Sequence, residues 1–138
     1  MTREEMKART KKFALRIIRL VDALPRKRSA QTIGGQLLRA GTSVGSNYRA
    51  ACRGRSEAEF VSKLGIVEEE ADESLFWTEV LVESGIVPLA RLASLMKEAE
   101  EILRIVVSAI NTTRRGWHRN PESGIRNSHR GRTLATNE

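Results

Sequence analysis

From Leu92 onward the apolar residues fall at Met96, Ala99, Leu103, Val106 and Ile110, with gaps of four, three, four, three and four. That alternation keeps one side chain per turn on a single face of an α-helix. A sheet, with its period of two, would scatter the same residues over both faces. Such a seam over five turns is buried only by other helices, and the chain supplies three more. Phe13, Ile17, Leu20 and Leu24 step along a first helix from about Arg3 to Leu24, ended by Pro25 and Arg26-Lys27-Arg28. A second is expected from Ser29 as N-cap to about Arg53-Gly54, with Ile33, Leu37, Ala40, Val44 and Tyr48 on one face. A third opens on Ser56-Glu57-Ala58-Glu59, a capping-box spacing, and carries Phe60, Leu64, Val67, Ala71 and Leu75. Gly85 suits its C-terminal turn, and Pro88 sits where a first-turn proline is tolerated before the fourth helix.

Four long helices with short connections bury four apolar stripes with least chain as an up-down-up-down bundle. At 138 residues there is room for one such core. Aromatics are only 4% of the chain, which fits aliphatic helix packing better than a β-sandwich. The expected architecture is therefore an all-α antiparallel four-helix bundle over residues 1–113. From Arg114 the periodicity stops, and residues 114–138 read as a disordered basic tail rich in Gly, Asn, Ser and Arg. Cys52 is alone, so no internal disulfide is possible. The charged start, Met1-Thr2-Arg3-Glu4-Glu5, lacks the apolar stretch of a signal peptide, and no apolar run approaches bilayer length. A cytoplasmic protein without membrane association is expected.

The residues that catalysis needs are not arranged for it. Both histidines, His118 and His129, fall in the expected tail, so Ser43 and Cys52 have no imidazole base in the bundle. The run Glu68-Glu69-Glu70-Ala71-Asp72-Glu73 raises a di-metal carboxylate centre, but no Glu-x-x-His pair accompanies it. A solvated acidic face paired with nearby Arg and Lys explains the run better. Gly34-Gly35, Gly41 and Gly45 are followed by no Walker lysine, and read instead as close approach of a neighbouring helix. Ser43 and Asn47, four apart at the edge of the second helix's stripe, are expected to form a structural polar pair, hydrogen-bonded across helices or to a carbonyl one turn back. The expectation is a non-enzyme with no cofactor and no metal.

Two surfaces remain for binding. The formal net charge is +7, of which residues 114–138 contribute +4 and residues 1–113, with 18 basic and 15 acidic side chains, +3. Arg9, Lys12, Arg16 and Arg19 form a stripe on the first helix, and Arg39, Arg49 and Arg53 cluster on the outward side of the second. With the arginine-rich tail they make a candidate nucleic-acid surface. On the third helix Ile66, Phe76, Trp77 and Val80 point away from the core face, a candidate oligomer interface. If that patch serves a different protein instead, the molecule is a protein-interaction scaffold with no nucleic-acid role.

The run Gln36-Leu37-Leu38-Arg39-Ala40-Gly41-Thr42-Ser43-Val44-Gly45-Ser46-Asn47-Tyr48 resembles the Ser-Val-x-x-Asn core of the bacterial four-helix bundle proteins, also called the ribosomal-RNA intervening-sequence protein family. Arg55-Ser56-Glu57-Ala58-Glu59-Phe60, Lys63-Leu64-Gly65-Ile66 and the acidic run follow in that family's order and spacing, so the resemblance covers about Thr10 to Ile110. Many members follow the Asn with an apolar residue, a small residue and Glu-Gly. Here Tyr48, Arg49 and Ala50-Ala51 stand instead, and the role of that glutamate does not transfer. The resemblance implies an antiparallel bundle commonly assembled as a ring-shaped homopentamer. By analogy with the related accessory proteins of diversity-generating retroelements, it also implies RNA or DNA, and a reverse transcriptase, as partners.

Overall fold

In the computed structural model, which describes residues 1–119, the chain forms α1 (Arg3–Asp22), α2 (Arg28–Cys52), α3 (Glu57–Glu83) and α4 (Leu89–Arg119). Short connections force each helix back along the last. α2 packs on α1 and α3, and α3 packs on α4, while α1 and α4 close the bundle through a much thinner seam. Each helix contributes one stripe to the core, including Phe13 and Ile17, Leu37 and Val44, Leu64 and Val67, Ile102 and Val106, all essentially without solvent exposure. Burying a side chain of this kind contributes roughly 1.5–3 kcal/mol, so the interior stripes set the register of the whole bundle. Among the described residues no helix is long and apolar enough to cross a membrane.

The helix ends show which local signals act. At α1 the Thr2 hydroxyl accepts from the Glu5 amide and the Glu5 carboxylate accepts from the Thr2 amide, a reciprocal cap that the apolar pattern did not disclose. That amide holds the Glu5 carboxyl below its usual pKa. At α3 the Ser56 hydroxyl accepts from the Glu59 amide, but Glu59 reaches back to the amide of Arg55 rather than to that of Ser56. α2 begins two residues earlier than expected. Lys27 is the N-cap without a side-chain bond, and Ser29 lies inside the first turn. α3 ends in a complete Schellman turn. The amides of Gly85 and Ile86 donate to the carbonyls of Val82 and Leu81, with Gly85 at φ +80° as the left-handed residue.

α4 continues to Arg119, past the expected end at Thr113. The apolar seam does end near Ile110, but Thr112 to Arg115 contain no proline, and the helix carries on with Arg114 and Arg115 exposed. Residues 120–138, with the remainder of the expected tail and His129, lie outside the described residues.

Gly41 and Gly45 of α2 are spacers against α1, whereas Gly35 meets no neighbour. A methyl group on Gly41 would lie 2.7 Å from Ile17 Cγ1, and one on Gly45 would lie 3.2 Å from the Thr10 carbonyl oxygen. Thr10 itself is fully buried and turns its hydroxyl to the Met6 carbonyl, which satisfies it within α1.

Candidate nucleic-acid and assembly surfaces

Charge is distributed far more unevenly than the totals indicate. Residues 1–56, which hold α1, α2 and their connections, carry fourteen basic and three acidic side chains. α3 alone carries one basic and nine acidic. The weak mean charge of the bundle is the cancellation of a strongly basic half against a strongly acidic helix.

Three of the seven arginines and lysines expected to contact nucleic acid are held inside the bundle surface. Arg9 forks across the thin α1–α4 seam, with Nε 2.7 Å from one Glu98 oxygen and Nη2 bonded to Glu98 and Glu101. The Arg9 bonds pull the Glu98 carboxyl below its usual pKa, and the two glutamates raise that of the guanidinium. Arg16 donates to the Ser94 hydroxyl on the same seam at 3.0 Å. Arg39 bridges α2 to α3, 2.7 Å from Glu73 and 3.2 Å from Glu70. The Arg39 hydrogen bond, with a second from Trp77, lowers the Glu73 carboxyl. These arginines close helix–helix seams, but only Arg39 does so with the acidic run of α3, since Arg9 and Arg16 bond to α4.

Lys12, Arg19, Arg49 and Arg53 make no ion pair among the described residues, and the structure separates them. Lys12 and Arg19 lie on α1. Arg49 and Arg53 lie at the C-terminal end of α2, where the start of α1, the start of α3 and the extension of α4 converge. Arg3, Arg55, Ser56, Glu57 and Thr113 are among the residues lining one shallow pocket at that end, of about 240 Å³. Arg114 and Arg115 follow directly on α4, both exposed. Arg3 stacks over the Phe60 ring, 4.2 Å from its centroid, and Arg115 donates to the Thr112 hydroxyl. This end therefore gathers six arginines, none of them in an ion pair with a carboxylate among the described residues. Arg3 and Arg55 are absent from the sequence reading because each sits at a helix boundary, where a wheel has no face to assign, whereas Arg114 and Arg115 enter it only as part of the expected arginine-rich tail. Beneath them Tyr48 is buried, and burial followed by its hydrogen bond with Cys52 pushes its hydroxyl pKa up.

The apolar patch on α3 divides. Ile66 and Phe76 are exposed, Phe76 at 51%. Trp77 and Val80 are partly buried instead, and the Trp77 indole N–H is satisfied by Glu73 at 3.1 Å. Trp77 packs against the core while its ring meets Phe76 edge to face, 4.9 Å between centroids. The core is wider here than the sequence stripe, and the outward surface is Ile66 and Phe76 flanked by acids. The polar pair is resolved locally: the Asn47 side-chain amide donates to the Ser43 carbonyl, one turn back on α2.

Fold and surface together define an antiparallel four-helix bundle whose interhelical polar groups are held in seams and caps, and whose remaining charge lies outside. The family model for the 23S rRNA-intervening sequence protein matches residues 4–108, and the chain belongs to that family. It is also similar to a crystal structure of a protein with unknown function from the S23 ribosomal protein family of Bacteroides thetaiotaomicron. That likeness has 32% identity and a TM-score of 0.75, and covers 80% of this chain and 99% of the other. No curated protein gives a significant match.

Proposed function

We propose that this chain is a non-enzymatic, self-associating four-helix bundle that binds RNA through its arginine-lined end. The observation that carries the reading is the gathering of Arg3, Arg49, Arg53, Arg55, Arg114 and Arg115 where four helix ends meet. Guanidinium groups in excess over nearby carboxylates are suited to phosphates, which they bind in paired hydrogen bonds and with release of counterions. The family's name refers to 23S rRNA, which is consistent with RNA as the polyanion. Self-association is supported by the two exposed aliphatic and aromatic residues on α3, Ile66 and Phe76, in a chain whose core is otherwise well covered.

Titrating the protein against a labelled single-stranded RNA at several salt concentrations tests the nucleic-acid part. Binding that weakens steeply with salt is expected. Neutralising Arg53, Arg55 and Arg114 together with Gln should flatten the log–log slope by about 2, at roughly 0.7 per lost phosphate contact. No binding at low salt, or an unchanged slope in the triple variant, would overturn the assignment of this end.

A further inference from the structure

Two cavities adjoin at the arginine-lined end, and they differ in chemistry. The polar one, of about 240 Å³, has Arg3, Arg55, Ser56 and Glu57 in its walls. Its neighbour, of about 300 Å³, lies between the start of α1 and the C-terminal half of α4, with Met6, Ile105, Val106 and Ala109 among its walls. Arg3, Phe60 and Thr113 line both. Arg3, the first residue of α1, reaches across to α3 and stands over the Phe60 ring, 4.2 Å from its centroid. The ring beneath is only 9% exposed, whereas Arg3 is exposed. The stack is therefore closed by the core on one side and open to solvent on the other.

A guanidinium resting on an aromatic ring keeps its N–H edge for hydrogen bonds in its own plane and offers its outer face to a further planar group. A ligand that suits both cavities needs an anionic part for the arginines and a flat, largely apolar part for the walls beside Phe60. A nucleotide of a single strand has both. In a duplex the base faces are covered by neighbouring bases, and only the backbone is on offer. The apolar cavity stands at the lower end of small-molecule sites, which run from about 300 to 1,000 Å³, and so suits one base.

We propose that the Arg3–Phe60 stack is a platform for one unpaired RNA base, so that this end selects single strands over duplex. This rests on the RNA-binding reading above and adds which form of RNA the end accepts. The base stacks at Arg3 beside the apolar cavity, and its neighbouring phosphates reach the polar one. Glu57 shares that wall, so Arg3 and Arg55 together outweigh one carboxylate there.

Binding of the full chain to a short single-stranded RNA, to an abasic ribose–phosphate strand of the same length and to the matching duplex tests this. Stacking one base on such a platform is worth about 5- to 150-fold in affinity, so the intact strand is expected to bind tighter than the abasic strand by that order. Arg3→Lys keeps the charge and loses the planar group, so its salt dependence should match the parent's while the preference for the intact strand disappears. Phe60→Leu keeps an apolar side chain in the core and should lose the same preference. Equal binding of intact and abasic strands by the parent overturns the platform and leaves phosphate binding at this end standing. A duplex bound as tightly as the single strand, or an Arg3→Lys chain that keeps the full preference, overturns it as well. Failure of the parent to bind any of the three at low salt overturns the RNA reading itself. Should Phe60→Leu lose its helical circular dichroism, Arg3→Lys, on the exposed first turn of α1, decides the matter alone.

Discussion

Gly35 and Gly41 lie on the same helix and answer to opposite demands. A methyl group on Gly35 meets nothing within 4 Å, so alanine there gains helix propensity without crowding. Gly35→Ala should stabilise the fold by about 0.5–1 kcal/mol, read as a higher urea midpoint. At Gly41 the nearest atoms belong to Ile17, a fully buried β-branched side chain that cannot swing aside. Gly41→Val should destabilise by about 1–3 kcal/mol as α1 is pushed off α2, and an unchanged midpoint would contradict the close approach. Gly85 is different again, since its φ of +80° is the constraint rather than any neighbour, and alanine there should cost roughly 1–2 kcal/mol. Close approach was legible in the sequence as several glycines within one helix. Which of them touched α1 was not, because that depends on the rotation of α2 about its axis.

The seam between α1 and α4 is the thinnest in the bundle, and the Arg9 fork to Glu98 and Glu101 is its main polar tie. Arg9→Met keeps the aliphatic stem but leaves two glutamates without their cation, and should cost about 1 kcal/mol at neutral pH. Arg9 lowers the folded-state pKa of Glu98, so the unfolded chain takes up that proton first. The stabilisation is therefore complete above the ordinary carboxylate pKa of about 4.3, and is lost as pH falls through the depressed folded value. Urea titrations of both chains between pH 7 and pH 3 should show the gap between them narrowing on acidification. A gap that stays constant would mean that Arg9 acts by packing alone. At this scale the four helices were readable because apolar period, proline and capping signals agreed. Where those signals were weak the sequence reading drifted: at Ser29, which lies past the true cap, and at Thr113, where no breaker follows. Trp77 was misplaced for a related reason. A large ring anchored by Glu73 reaches back over the core from a position outside the narrow stripe.

Across the whole molecule the decisive property is the segregation of charge, basic through α1 and α2 and acidic on α3, which a sum over the bundle conceals. It accounts for the Arg39 seam between α2 and α3 within one chain. Apolar burial is not screened by salt, so the proposed self-association should persist as ionic strength rises. Nucleic-acid binding should fall far more steeply over the same range. Family membership and the single core were accessible from the pattern around Ser43 and Asn47. The arginine-lined end was only partly so, because four helices separated in sequence contribute to it. The most direct test of the account is the mass of the full chain by light scattering, with and without a single-stranded RNA. The account predicts a mass several times 15.4 kDa that rises further when RNA is added at low salt. A species of 15.4 kDa indifferent to RNA would contradict it.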